Sequence, residues 1–295
     1  MKATREMADR LVLGGLVKAR EVGPYTIFKY AAKVFYDRLW TPELELFRGT
    51  VFKGDKLVVE PMRKVYNYGE NGIGLAVPLD TPVILDYKVN GFMLNVTCVD
   101  GELLFSTTGS LDSPFVELGK GMFSKFITEE QAEIIKRMEG VPFTFEVVSK
   151  EDPHIVGEVE GLHLLKVGDL TLVSRNEFAE QHGFMYHTVT YTTLETALQL
   201  AKCSDWEGWM VYSRDEELLF KLKTTYYLTT KFLMRSAKAS DAIYGPNPKE
   251  VFKDEEFFKL VTWIKANMTQ VFWDAGTDQR RREWIEEFFN KTGAF

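Results

Sequence analysis

Four short stretches carry lysines, carboxylates and glycines in patterns that chemistry could use. They are Lys88-Val89-Asn90-Gly91, Phe145-Glu146-Val147-Val148-Ser149, Glu207-Gly208-Trp209-Met210-Val211 and Lys221-Leu222-Lys223. Each ends a predicted strand in polar or charged residues. Alone, each has an ordinary explanation: Lys-x-Asn-Gly is a common turn with a solvated lysine, and Glu-Gly can open a strand. In Lys221-Leu222-Lys223 the two-residue period of a strand puts both amines on one face. Like charges on one face cost energy unless something anionic meets them, and a solvated strand face is the plain alternative.

The order of the four is more specific than any one of them. Lys-x-(Asp/Asn)-Gly, an internal strand Glu, Glu-Gly-aromatic and Lys-x-Lys resemble, in that order, the covalent nucleotidyltransferase superfamily of ATP-dependent DNA and RNA ligases and mRNA capping enzymes. Arg48-Gly49-Thr50-Val51-Phe52 and Pro61-Met62-Arg63-Lys64-Val65-Tyr66-Asn67-Tyr68-Gly69-Glu70 look like the region upstream of the nucleophile in the RNA ligase 1-like family of phages. Leu164-Leu165-Lys166-Val167 and Lys221-Leu222-Lys223-Thr224-Thr225-Tyr226-Tyr227 resemble it too. The likeness covers residues 45 to 228.

It implies joining of RNA ends in three phosphoryl transfers: a lysine attacks the α-phosphorus of ATP to give lysyl-AMP, AMP passes to a 5′-phosphate, and a 3′-hydroxyl displaces AMP. Lys88 is the implied nucleophile. A free lysine, with a pKa of about 10.4, is mostly protonated at neutral pH and must be brought to its neutral form. Burial or a nearby cation does this, and Lys221 and Lys223 are candidates for the cation. They would also meet charge building on the phosphate. Glu146 and Glu207 are candidates to hold magnesium (or manganese), directly or through water, or to bind ribose hydroxyls. Arg48 and Lys64 suit phosphate oxygens. Tyr66 could stack on a base or simply pack in the core. Gly91 and Gly208 let backbone approach the nucleotide. Tyr227 carries over from a matching tyrosine.

Two departures stand out. The common nucleophile pattern is Lys-x-Asp-Gly, and Asn90 replaces the acid, keeping hydrogen bonding but losing charge. Before Gly109-Ser110 the family has a lysine; here Thr108 stands there, so a phosphate contact is missing or supplied elsewhere.

The positioning elements read as a mixed α+β chain, and the resemblance implies a nucleotidyltransferase core of antiparallel sheets with flanking helices. Residues 5–20 suit an amphipathic helix. Val51–Val59 suits a hairpin turning at Gly54-Asp55, Pro82–Tyr87 a strand, and Phe92–Val99 with Glu102–Thr107 a hairpin joined at Asp100-Gly101. Thr128-Glu129-Glu130-Gln131 is a capping box opening a helix to about 139. Strands are expected at 142–149, 162–166 and 169–174. A second capping box at Thr192-Thr193-Leu194-Glu195 opens a helix through Ala201, and strands follow at 207–213 and 217–223. Helices are expected at 229–240, 249–268 and 278–290, broken by Gly245-Pro246-Asn247-Pro248 and Asp274-Ala275-Gly276. This gives a nucleotidyltransferase domain over 1–228 and a small all-α C-terminal domain over 229–295. DNA ligases of the superfamily normally continue into a short-stranded barrel, so a helical tail favours the RNA ligase branch. Phe257, Phe258, Val261, Ile264 and Met268 form its packing face. Arg280-Arg281-Arg282 reads as a solvated helix face, or as a contact to RNA phosphates.

Bulk composition bounds the rest. The 295 residues carry 36 Lys+Arg against 43 Asp+Glu, a formal charge of −7, which opposes tight non-specific retention of nucleic acid. Two cysteines make no disulfide scaffold, the four histidines show no metal-binding spacing, and no segment suits a signal peptide or bilayer span. A reducing, cytosolic setting is expected, with ATP and RNA ends (single-stranded RNA or a broken tRNA loop) as partners and no membrane. The alternatives are a DNA ligase, a GTP-using capping enzyme, and an inert RNA-binding protein that keeps the fold.

Overall fold

The computed structural model describes residues 1–245 and 255–292. They form two compact units, each assembled from separate stretches. The first unit comprises Met1–Tyr66, Gly91–Asp152 and Val159–Thr188. The second comprises Asn67–Asn90, Pro153–Glu158 and the described residues from Val189 onward.

The first unit opens with helix α1 (Arg5–Leu13), capped by the Thr4 hydroxyl, which accepts from the Met7 N–H. The helix expected over 5–20 stops early. Gly14 caps it and Gly15 turns left-handed at φ 65°, so Leu16 and Val17 leave the helical face. Strands β1 (Val17–Val22), β2 (Tyr25–Tyr30), β3 (Arg48–Lys53) and β4 (Lys56–Val59) then form an antiparallel meander, with α2 (Ala32–Tyr36) after β2. The Gly54-Asp55 turn joins β3 to β4 as the sequence suggests.

Strand β5 (Pro82–Tyr87) belongs to the second unit. The first unit resumes with β6 (Phe92–Val99), β7 (Glu102–Ser106), helices α3 (Pro114–Phe126) and α4 (Glu129–Arg137), and strands β8 (Phe143–Val148) and β9 (Gly161–Val167). Its second sheet runs β7-β6-β8-β9, all antiparallel. The capping box at Thr128 and Gln131 forms with both of its hydrogen bonds. Leu94, Val96, Phe143, Phe145, Leu162 and Leu164 make the core with Met122 and Phe123 of α3. The strand expected at 169–174 is instead the start of helix α5 (Leu172–His182). Thr171 turns out to be its N-cap, accepting from the Ser174 N–H, so the apparent alternation of Leu170 to Leu172 is a helix entry.

The second unit is built on the sheet β10-β5-β11-β12, where β10 is Thr190–Thr193, β11 Gly208–Tyr212 and β12 Leu218–Lys223. One face packs Val83, Leu85, Val211, Phe220 and Leu222 under helix α6 (Leu194–Cys203). That helix is capped by Thr193, which accepts from Thr196, one residue later than the expected box. Along β12, Phe220 and Leu222 are buried and Lys221 and Lys223 alternate with them on the other face.

Beyond β12 the described residues are helices: α7 (Thr225–Arg235), α8 (Ala239–Tyr244), α9 (Glu255–Asn267), α10 (Gln270–Ala275) and α11 (Asp278–Thr292). The helix expected over 229–240 is thus two shorter ones, α7 starting four residues earlier. Residues 249–254 of the next expected helix, and Pro246 to Pro248 of the expected break, lie outside the described residues. Phe257, Val261 and Ile264 are fully buried against Leu233, Ile243, Trp273, Ile285 and Phe289, and Met268 packs at the edge of this core. The expected mixed α+β architecture of antiparallel sheets and flanking helices is therefore the observed one, with eleven helices among the described residues.

Candidate active site

Three strands of the second unit end side by side, and their ends carry the charged residues. The chain leaves β5 at Lys88, whose backbone N–H still donates to the carbonyl of Gly208 (2.9 Å). Glu207 enters β11 just before Gly208, and Gly208 sits opposite Lys223 of β12. The result is a tight cluster. Nζ of Lys88 lies 3.1 Å from Oε1 of Glu207, and Nζ of Lys223 lies 2.9 Å from the same oxygen. Glu207 is almost completely buried (2% exposed), so this is no solvated surface pair. The crossing depends on Gly208: its φ is 137°, and a Cβ there would stand 2.0 Å from the Leu222 carbonyl oxygen.

Burial alone would raise the Glu207 carboxyl pKa, but Lys88 and Lys223 outweigh it and hold the group below its ordinary value. Two unit charges about 4 Å apart interact by roughly 4 kcal/mol at an effective dielectric near 20, which is how a pair of ammoniums keeps a buried carboxylate ionised. Burial pulls Lys223 below the usual lysine pKa, against the pull of Glu207, and the Lys88 charge adds to the lowering. Lys223 also lies 4.3 Å from the centre of the Tyr227 ring, a cation–π contact that fixes its stem. Lys221 shares the face of β12, and its carbonyl accepts from the Tyr68 N–H (2.9 Å).

The departure at position 90 has a local cause. Asn90 is buried, and its Nδ2 donates to Oε2 of Glu207 at 2.7 Å, a bond no aspartate could give. Its Oδ1 accepts from the Val156 N–H (3.1 Å), and its own backbone N–H donates to Glu158 (3.2 Å). Glu158 also receives the Tyr87 hydroxyl at 3.3 Å on both oxygens. Burial pushes the Glu158 carboxyl up to about 7, against the hydrogen bonds from Asn90 and Tyr87. The sequence reading passed over this acid because it lies in a loop, with no strand end or charge pattern to mark it.

In the first unit, Glu146 sits on β8 and accepts from the Gly91 N–H at 3.0 Å. Gly91 is needed for that approach, because a Cβ would come 2.2 Å from the Val147 carbonyl oxygen. Arg48 starts β3 and donates to the carbonyls of Arg63 (3.1 Å) and Met62 (3.5 Å); burial lowers its pKa, against Tyr30 and Glu146. Lys64 lies 4.2 Å from the Tyr66 ring centre, and the Tyr66 hydroxyl donates to Glu45 (2.8 Å). These contacts fix both side chains. A Cβ on Gly109 would stand 2.9 Å from Nζ of Lys29, so an ammonium does reach the Thr108-Gly109 turn, from β2.

Among the described residues, no three metal-ligating side chains converge. Both oxygens of Glu207 already face Lys88, Lys223 and Asn90, and Glu146 accepts from Gly91. Among the described residues, this donor set does not make a resident cation site. Within the arginine run only Arg280 is solvated, exposed and paired with Glu283. Arg281 donates to the carbonyls of Trp273, Met234 and Asp274, and Arg282 donates to the carbonyl of His154 (2.9 Å). Among the described residues, no helix is long and apolar enough to cross a membrane.

No protein-family profile matches the sequence, and no curated protein matches it. Solved structures do match. An archaeal ATP-dependent RNA ligase superposes with a TM-score of 0.59 over 95% of this chain and 75% of its own, at 14% identity. A candidate ATP-dependent DNA ligase from Aquifex aeolicus superposes at 0.56 over 97% and 77%, also at 14% identity. The chain shares its fold with these two ATP-dependent ligases. In this ligase fold the Lys88–Glu207–Lys223 cluster sits at the ends of three neighbouring strands, and identities this low leave the activity to be argued from the residues.

Proposed function

We propose that the protein is an ATP-dependent RNA ligase that seals a 3′-hydroxyl to a 5′-phosphate. The observation that carries this reading is the sharing of one buried carboxylate oxygen by Lys88 and Lys223. Each ammonium competes with the other for Glu207, and Lys223 remains as the cation when Lys88 turns neutral and leaves the pair. Magnesium (or manganese) would come with ATP as part of the substrate and would offset phosphate charge. Neutral Lys88 Nζ attacks the α-phosphorus; the N–P bond forms, the bond to pyrophosphate breaks, and the amine loses its proton. The 5′-phosphate of RNA then attacks the same phosphorus, and the lysine departs as an amine. Last, the RNA 3′-hydroxyl attacks the 5′-phosphorus and AMP leaves. Lys221 and Lys223 offset charge on the phosphate. Arg48, Lys64, Tyr66 and Glu146 are assigned to nucleotide and RNA contacts by the family resemblance, and Asn90 to holding Glu207. A cytosolic enzyme acting on single-stranded or broken-loop RNA, with a catalytic body to about residue 228 and a helical tail, completes the proposal.

A DNA ligase is the second reading, supported by the Aquifex aeolicus fold, which superposes at 0.56 against 0.59 for the archaeal RNA ligase. The all-helical described segment after Lys223 favours RNA. Labelled ATP followed by a chase with 5′-phosphorylated single-stranded RNA, in parallel with a nicked DNA duplex, tests both. Label should pass to RNA and the RNA should circularise or join. Joining of the nicked DNA alone would favour the second reading, and no transfer to either would refute both.

A further inference from the structure

We propose that Glu158 supplies the carboxylate that position 90 lacks, and so acts as the positioning residue for the Lys88 nucleophile. This rests on the ligase reading of Lys88 but concerns a residue that reading does not use. Glu158 holds the nucleophile loop on both flanks. It accepts the hydroxyl of Tyr87, the residue before Lys88, and the N–H of Asn90, two residues after it. The backbone N–H of Val156, two residues earlier in the same loop, donates to the Asn90 side chain. Val156 and Glu158 therefore grip one loop from one short piece of chain. That piece is itself anchored: Ile155 and Val156 are buried in the helical core, and Arg282 holds the His154 carbonyl.

The charges explain why the acid belongs at 158 and the amide at 90. Asn90 must donate to Glu207 at 2.7 Å. An aspartate there would set a carboxylate against Glu207 and add a third acid beside Glu158. Placing the acid at 158 keeps a carboxyl acceptor on the loop backbone and leaves Glu207 to the two lysines. The charged or titratable groups around Glu158 are Tyr87, Lys88 and Glu207. Burial and the neighbouring acids keep Tyr87 protonated, so it remains a donor to Glu158.

The test is a charge swap, read by the rate of AMP-adduct formation from labelled ATP and by thermal melting. E158Q keeps an acceptor for Tyr87 and Asn90, and E158A removes it. The adduct rate should fall about tenfold or more in E158A and less in E158Q, the scale of one hydrogen bond to a charged group. N90D should slow the adduct by a similar factor and lower the melting temperature by about 2–4 °C. N90D/E158Q should recover most of both losses, because the acid has moved and the count of carboxylates is restored. Equal rates in E158A and the parent enzyme, or a double variant no better than N90D in rate and melting, would overturn the proposal. Should the parent chain form no adduct at all, the ligase reading fails, and the melting cycle alone still decides whether residues 90 and 158 share one charge.

Discussion

Lys88 and Lys223 contact a single carboxylate oxygen, Oε1 of Glu207, at 3.1 and 2.9 Å, while Asn90 holds the other oxygen. Three donors on one buried acid make that acid the part whose loss costs most, because either lysine can go and leave Glu207 paired. Taking away Glu207 strands two ammoniums, which costs far more than breaking a surface pair.

Glu207→Ala should therefore destabilise the protein by about 3–5 kcal/mol in urea unfolding. Lys223→Met leaves Glu207 paired with Lys88 and Asn90, so it should fold well. It should nevertheless slow AMP-adduct formation by about a hundredfold, because Lys88 is then the undivided partner of Glu207 and is held in its protonated form. A Lys223→Met enzyme of normal rate would contradict the shared-oxygen account.

The two site glycines fail in different ways when given a side chain. At Gly208 a Cβ meets the Leu222 carbonyl at 2.0 Å and the backbone is left-handed, so Gly208→Ala combines a clash with strain. A loss of about 3–5 kcal/mol is expected. At Gly91 the clash with the Val147 carbonyl at 2.2 Å stands without a left-handed φ, and about 1–3 kcal/mol is expected. Unfolding midpoints in urea measure both.

Two groups give stability opposite pH slopes. His163 and His187 stack with ring nitrogens 3.0 Å apart, and His163 Nε2 faces the Val159 carbonyl, so His187 donates and both rings are neutral. Burial and the neighbouring His163 lower His187 to about 4. Its unfolded form takes up a proton below about 6.5 and the folded form does not, so this contribution is complete above 6.5 and is lost as pH falls towards 4. Glu158, raised to about 7 by burial, does the reverse: the folded form keeps its proton down from 7, so stability grows as pH falls towards 4.5. In denaturation midpoints from pH 8 to 4, His187→Phe should remove the acid loss, and Glu158→Gln should remove the acid gain.

Arg282 joins helix α11 to the segment that grips the nucleophile loop. Arg282→Ala gives up the bond to the His154 carbonyl, a charge-assisted bond of about 1.5–3 kcal/mol. Amide exchange at Ile155 and Val156 should speed at least about tenfold, while exchange in β6 and β8 stays as it was. Uniform acceleration throughout would mean that Arg282 serves only general stability.

Much of this was legible in the chain because the informative positions lie at strand ends. The strand period placed Lys221 and Lys223 on one face, and Asp100-Gly101 marked its hairpin. What escaped the sequence was decided by partners far away along it. Glu158 matters because Tyr87 and Asn90, some seventy positions earlier, bond to it. Asn90 is explained by Glu207, 117 residues later. Arg282 looked solvated because the run of three hides the carbonyls that hold it. Residues 170–172 looked like a strand because alternating Leu and Thr also describes an N-cap and the first turn of a helix. The net charge of −7 pointed away from nucleic acid, whereas the local cluster sets two lysines around one buried acid.

The most direct measurement is the location of the AMP adduct. The purified protein is incubated with labelled ATP and magnesium, digested, and the labelled peptide is sequenced, with Lys88→Ala in parallel. The account predicts an acid-labile, alkali-stable phosphoramide on Lys88, and no adduct on Lys88→Ala although that variant melts normally. Label of the same chemistry on Lys88→Ala, or on any other lysine of the parent chain, would contradict it.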